Sequence, residues 1–275
     1  MSTNTAATAD RELIAKHRAM WASGDYPKVA SDLVAPLGPV LVQASRVGRD
    51  DRVLDVAAGT GSAAIAAACR GAQVTASDLT PELLARGEAI AAQRGVQLGW
   101  HEANAEQLPF ADHHFDAVLS CIGVMFAPHH QRAADELMRV CRCGGMIGLL
   151  NWTPEGFIGQ MFATMKPYAP TPPPGVQPPP LWGSEDHVRG LLGERVTDLA
   201  TERRTLTVDL FRTGQAFRDF FKANYGPTIT AYRSIAADPD RVAALDSALA
   251  ELGQRFLAGS PAMEWEYMVV TARKR

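Results

Sequence analysis

Between Arg52 and Trp152, short apolar runs alternate with helical runs, and this alternation limits the possible folds more than any other feature of the sequence. Arg52–Val56, Gln73–Ser77, Val96–Glu102, Phe115–Ser120 and Met146–Trp152 read as strands. Ser62–Arg70 is alanine-rich and is closed by Gly71. Thr80-Pro81 opens a helix that runs to Gly95, and Gln131–Arg142 is a helix that ends at Gly144. Strands joined through single helices lie parallel, with helices on both faces of the sheet. Such α/β sheets bind ligands outside the carboxyl ends of their strands. The loops at 57–62, 78–80, 103–109 and 121–128 are therefore expected to share one edge.

The flanks are less regular. Met1 to Asp10 is small and polar and reads as a frayed tail. Arg11–Trp21 has helical spacing, with Leu13, Ile14, His17, Met20 and Trp21 near one face. A second helix is expected from Val29 to Ser45, bent near Pro36 to Pro39. This gives an N-terminal helical cap over 1–46 and a main domain over 47–275. Eight prolines between Pro167 and Pro180 exclude a helix there and leave either a passive connection or a cover beside the pocket. Asp186–Gly193, Gln215–Ile235 and Arg241–Leu257 read as helices, and Thr205–Phe211 and Glu264–Ala272 as strands.

A net charge of -3 gives no electrostatic reason to expect nucleic acid or an anionic membrane as partner. No apolar run is long enough to span a bilayer. Four cysteines without an extracellular framework point to a reduced, cytoplasmic protein. Cys141 and Cys143 form a pair, but no further ligand lies at zinc spacing, so no metal is expected.

The most informative stretch is Val53-Leu-Asp-Val-Ala-Ala-Gly-Thr-Gly61. A buried strand delivers Asp55, glycines follow at 59 and 61, and a helix then opens. Glycine admits close approach of backbone to a ligand, and the helix start offers unpaired N–H groups. Gly59 to Ala64 also fits the dinucleotide pattern G-x-G-x-x-A. A carboxylate just before that loop would repel a pyrophosphate. It suits a ligand with a cationic amine and no phosphate, and S-adenosylmethionine carries an ammonium, a carboxylate and a sulfonium. Asp78 ends the second strand, where an acid can accept from both ribose hydroxyls. That role serves either cofactor, so a nicotinamide-dependent oxidoreductase stays as the alternative, beside a binding module without turnover.

These residues resemble the class I S-adenosylmethionine-dependent methyltransferases, particularly the branch of ubiquinone- and menaquinone-type C-methylases. The resemblance runs from Val53 to Trp152. It also rests on Glu102-Ala-Asn-Ala-Glu-Gln-Leu-Pro-Phe110, Phe115-Asp-Ala-Val-Leu-Ser120 and Glu136-Leu-Met-Arg-Val-Cys-Arg-Cys-Gly-Gly145. It implies a Rossmann-like, doubly wound sheet of seven strands with the last antiparallel. Residues 153–260 would then hold the proline-rich loop and a helical insertion. It further implies that Asp55 and the backbone of Ala57, Gly59, Thr60 and Gly61 hold the methionine moiety. Asp78 would bind the ribose and Leu79 would pack on adenine. Asn104 and Ala105 would bond the adenine edge, and Ser120 would lie beneath the methionyl part. The chain departs from the pattern in three places. Ala57 replaces a frequent glycine, Asn104 a usual aspartate, and Cys143 a common proline.

Methyl transfer to a small-molecule acceptor is the expected activity. Displacement from a sulfonium needs alignment first, which can supply ~7–11 kcal/mol, and no dedicated catalytic residue is required. If the acceptor must lose a proton, His129 and His130 are the candidates, because they follow the fourth strand. His113 and His114 are expected at the opposite edge. Trp21, Tyr26, Met125, Phe126 and Trp152 are the candidate substrate wall, since small-molecule pockets are mostly apolar and aromatic.

Overall fold

The structure is a computed structural model that describes residues 2–275, with side chains from Asp10 onward. The elements are α1 (Ser2–Trp21), α2 (Tyr26–Val29), α3 (Leu37–Ala44), β1 (Arg52–Val56), α4 (Ser62–Cys69), β2 (Gln73–Asp78), α5 (Pro81–Gln93), β3 (Gly99–Glu102), β4 (Phe115–Cys121), α6 (His130–Val140), β5 (Cys141–Trp152), α7 (Phe157–Met165), α8 (Glu185–Leu192), β6 (Val196–Val208), α9 (Gly214–Asn224), α10 (Gly226–Ser234), α11 (Pro239–Leu257) and β7 (Met263–Lys274). They build one seven-stranded sheet in the order β3-β2-β1-β4-β5-β7-β6. β7 runs antiparallel to both β5 and β6, and the other pairs are parallel. The chain order reverses between β1 and β4, so the carboxyl ends of those strands form the switch point where a ligand fits.

The central strands are buried along their length because helices cover both faces; Leu54, Val118, Leu119, Leu149 and Val270 are among the least exposed residues. Gly38 lets α3 approach the start of α4, since a Cβ there would lie 2.4 Å from the Ser62 carbonyl carbon. β6 alternates between half-buried and exposed positions, as an edge strand does.

Several expected boundaries shift. The N-terminal helix begins at Ser2, so the stretch expected as a frayed tail is helical. The second helix is interrupted: α2 passes into a π-helical turn over Ala30–Val34 before α3. The helix expected from Gln215 to Ile235 is two, broken at Tyr225-Gly226-Pro227, because proline starts a helix more readily than it continues one. The strand expected over Thr205–Phe211 starts earlier, at Val196, and ends at Val208. β5 starts at Cys141, immediately after α6, and the Gly144-Gly145 turn lies within it.

The proline-rich segment braces the sheet. The Gln177 N–H donates to the Pro128 carbonyl at 3.0 Å. A 3₁₀ turn over Pro179–Gly183 then seats Trp182 in the core. Gly183 is needed there, because a Cβ would lie 2.1 Å from the Trp152 carbonyl oxygen. Trp182 packs beside His130, whose Nδ1 is hydrogen-bonded to His187 Nε2 at 2.9 Å. Burial holds the His130 imidazole well below its ordinary value, at about 3, and the neighbouring His187 and His129 add to the effect. Trp182→Ala should therefore destabilise the fold by ~3–5 kcal/mol, the cost of a large cavity in a packed core. Chemical denaturation of the variant tests this, and an unchanged midpoint and slope would show that the segment is a passive connection.

Candidate functional site

At the carboxyl edge of the sheet lies a cavity of about 690 Å³, inside the ~300–1,000 Å³ range of small-molecule sites. Its wall takes residues from all four expected loops: Ala57 and Gly59, then Asp78 and Leu79, then 103–107, then 122–129 except Val124 and Met125. Leu83 of α5 and one face of α1 complete it.

The loop after β1 turns left-handed at three positions. φ is +53° at Ala57, +55° at Gly59 and +79° at Gly61. Gly59 and Gly61 take that conformation freely, whereas Ala57 pays strain for it, which is the physical content of a glycine being frequent there. Two carboxylates hold the loop. Asp78 accepts from the Gly59 N–H and from the Thr80 N–H, each at 2.8 Å. Asp55 accepts from the Ala64 N–H at 2.8 Å, in the first turn of α4. The other Asp55 oxygen is buried and has no partner among the described residues. Burial therefore pushes the Asp55 carboxyl up to about 7, opposed by the Ala64 bond and helped by the nearby charge of Asp78. Burial also raises Asp78, against its backbone bonds to Gly59 and Thr80.

The cavity gathers Ala57, Gly59, Asp78, Leu79, Asn104 and Ala105 of the expected cofactor residues. Asp55, Thr60, Gly61 and Ser120 stand behind the wall. Gly61 faces Trp100, which also packs against Gly87 of α5 and so wedges the loop from below. Ser120 donates to the Val56 carbonyl at 2.7 Å and accepts from the Val124 N–H at 2.9 Å, which ties the ends of β1 and β4 together. Asn104 sits in the wall, where its side-chain oxygen already accepts from the Glu106 N–H at 3.0 Å and keeps a second lone pair for a ligand.

Of the candidate substrate residues, Trp21, Tyr26 and Phe126 line the cavity. Met125 does not; it is fully buried in the core. Trp152 instead lines a void of about 20 Å³ that adjoins the cavity. The two histidines part company. His129 is in the wall, with Nδ1 bonded to Glu106 at 2.9 Å and its backbone N–H donating to the same carboxylate at 2.7 Å. His130 turns into the core and cannot act on a ligand, because α6 begins at that residue and aims its ring at Trp182 and His187. His113 lies at the far edge, where it meets Lys274.

Sequence reasoning missed the polar end of the cavity. Asp10, Arg11, His17, Glu106 and Arg132 gather there, and Arg132 pairs with Asp10 at 2.9 Å. Burial lowers His17, with Glu106 opposing and His129 adding to the shift, so its imidazole stays neutral. The helical spacing of Leu13, Ile14, His17 and Trp21 was the available signal; that this face meets a cavity was not.

The basic side chains of the cavity, Arg11 and Arg132, belong to α1 and α6 and not to the glycine loop. The loop instead has a buried acid with an unpaired oxygen beneath it. That arrangement fits a ligand whose end at the loop is cationic, and it disfavours a pyrophosphate. Comparison with known proteins agrees. Residues 53–145 match the model of a methyltransferase domain. The chain belongs to the class I S-adenosylmethionine-dependent methyltransferases. S-Adenosylmethionine is its cofactor. An uncharacterized protein of Mycobacterium tuberculosis is 58% identical over 97% of both chains. The ubiquinone/menaquinone biosynthesis C-methyltransferase UbiE of Zymomonas mobilis is 41% identical over 110 residues, which is 40% of this chain and 46% of that one. The YcgJ protein of Bacillus subtilis shares the fold, with a TM-score of 0.60 at 16% identity over 87% of this chain and 98% of that one.

The buried Asp55 carboxyl yields a pH-dependent expectation. Its folded value of about 7 lies above its ordinary 3.8, so the folded chain keeps a proton that the unfolded chain releases. Wild-type stability therefore falls as pH rises from about 4 to 7. Asp55→Asn keeps an acceptor for the Ala64 N–H and removes the charge. In thermal melts without ligand, its Tm relative to wild type should be higher at pH 8 than at pH 5, and an equal difference at both would show that Asp55 is ionised at low cost.

Proposed function

We propose that this methyltransferase acts on a small-molecule acceptor bound in the same cavity as the cofactor, at the end formed by Trp21, Tyr26, Ile122 and Phe126. The observation that carries the reading is the division of one cavity. The Gly59, Asp78, Leu79, Asn104 and Ala105 wall suits an amino-acid nucleoside, and the aromatic wall beside it suits an apolar group. A roof of α1 residues lies over both, which favours a metabolite over a polymer.

In this reading Asp78 accepts from the ribose hydroxyls with lone pairs not used by Gly59 and Thr80. The backbone of Ala57 and Gly59 takes the amino-acid end, and the Asp55 carboxyl beneath the loop favours its ammonium. Leu79 and Leu83 cover the purine, and Asn104 and Ala105 meet its edge. The cofactor supplies a methyl group on a sulfonium leaving group, so the residues of the chain need only to align the acceptor and exclude water. Displacement from a sulfonium needs no proton transfer from His129, whose Nδ1 and backbone N–H both bond to Glu106 at the start of α6. The net charge of -3 supports a metabolite over DNA or RNA, and the unpaired cysteines support a cytoplasmic location.

Calorimetry with S-adenosylhomocysteine and with NADH, followed by transfer of labelled methyl into a metabolite extract and into nucleic acid, tests the reading. Binding of S-adenosylhomocysteine alone and label in a small molecule are expected; label in nucleic acid would overturn it. Charge-assisted bonds contribute ~1.5–3 kcal/mol each, so Asp78→Ala should weaken S-adenosylhomocysteine binding by at least about tenfold. An unchanged Kd would remove Asp78 from the site.

A further inference from the structure

β6 forms one edge of the sheet and runs for 13 residues, which is long for a strand paired on one side. Between residues 197 and 208 its backbone pairs with β7 alone among the described residues. A row of unpaired N–H and C=O groups is a template for a further strand, and proteins blunt such edges with bulges or with charges that repel a copy. The bulge lies at the start of β6, where the register against β7 shifts between Thr197 and Ala200 and Asp198 is left-handed at φ +52°. The regular part, from Ala200 to Val208, carries charges of both signs.

The order of those side chains is self-complementary. Ala200, Glu202, Arg204 and Leu206 share one face of the strand, and Thr201, Arg203, Thr205 and Thr207 share the other. A second copy running antiparallel about a twofold axis at Arg203 sets residues equally distant from Arg203 opposite each other. Glu202 of each copy then faces Arg204 of the other. Ala200 faces Leu206, and Thr201 faces Thr205. Opposite charges, paired apolar side chains and paired threonines all favour cross-strand contact. The like-charged meeting is Arg203 with itself on the axis, and each Arg203 already meets Glu155 at 3.4 Å and Glu266 at 3.1 Å in its own chain. An axis at Glu202 or at Arg204 would set that charge against itself and leave no Glu opposite an Arg. The charges therefore select one register. Leu210 is the large hydrophobic residue that stays exposed among the described residues, and the same axis brings it beside the Val196 end of the second copy's strand.

We propose that the protein binds a second copy of itself through β6, with the two sheets joined edge to edge about an axis at Arg203. β5 and β7 stand between β6 and the switch point at β1 and β4, so both cofactor cavities stay open. The interface is independent of the acceptor.

Sedimentation velocity of the full chain from about 1 to 100 µM tests the proposal, and wild type should sediment as a dimer in the upper part of that range. Glu202→Arg and Arg204→Glu each place like charges opposite one another twice, and each should weaken the dimer at least about tenfold. Unchanged far-UV circular dichroism checks that each variant folds. The two variants mixed in equal amounts should form a heterodimer, because every Arg at these positions then faces a Glu. A change within one chain cannot produce that recovery. Wild type that stays monomeric throughout, a dimer indifferent to both variants, or variants that fail to recover on mixing would each overturn the proposal.

Discussion

The Asp78 carboxylate fastens two loops to each other. One oxygen takes the Gly59 N–H and the other the Thr80 N–H, so the end of β2 holds the turn after β1 and the start of α5 in one register. The rest of the site follows from this tie. With Gly59 fixed, Ala57 and Gly61 are held in left-handed backbone, and α4 starts close enough for Asp55 to reach the Ala64 N–H. Ser120 extends the same stitching to β4 through Val56 and Val124. The ends of β1, β2 and β4 thus become one rigid edge, and rigidity is what a displacement reaction asks of its enzyme, because the barrier depends on alignment.

The two buried acids do different work although they stand at equivalent strand ends. Each Asp78 oxygen accepts from one backbone N–H and the residue lines the cavity, so lone pairs remain there for further donors. Asp55 has one donor, and its other oxygen is buried behind the loop without a partner among the described residues. A buried carboxyl in that state resists ionisation until a positive charge comes near. In the proposed reading, the glycines let the cofactor approach and the acid beneath them favours its ammonium over a pyrophosphate.

Outside this edge the chain spends its length on enclosure. α1 packs on the core through Trp21, and its Leu13, Ile14, His17 and Trp21 line the cavity. The insertion between β6 and β7 supplies Phe221 and Tyr225, and the proline-rich segment presses on the turn after β4 through Gln177 and Trp182. Proline suits that segment because an extended chain with few free N–H groups can run along a surface without a strand partner.

The sequence by itself determined the parallel unit and its cofactor edge. Strand and helix periodicity, the glycine pair after Asp55, and the acid at the end of β2 are local signals, and each follows from the conformations that a few adjacent residues can adopt. It also showed the amphipathic face of α1 and the aromatic character of Trp21, Tyr26 and Phe126. Only the tertiary structure decided what those faces meet. His129 and His130 are neighbours in sequence, yet one borders the cavity and the other is locked against His187, because α6 begins between them: His129 is the extended N-cap residue and His130 the first helical one. Met125 and Trp152 carry the same aromatic or apolar signal as Phe126 and end in the core and the void. Asp10, Glu106 and Arg132 reach the cavity from segments far apart in the chain. No local pattern encodes such meetings, since they depend on how helices with their own packing demands cross the end of the sheet.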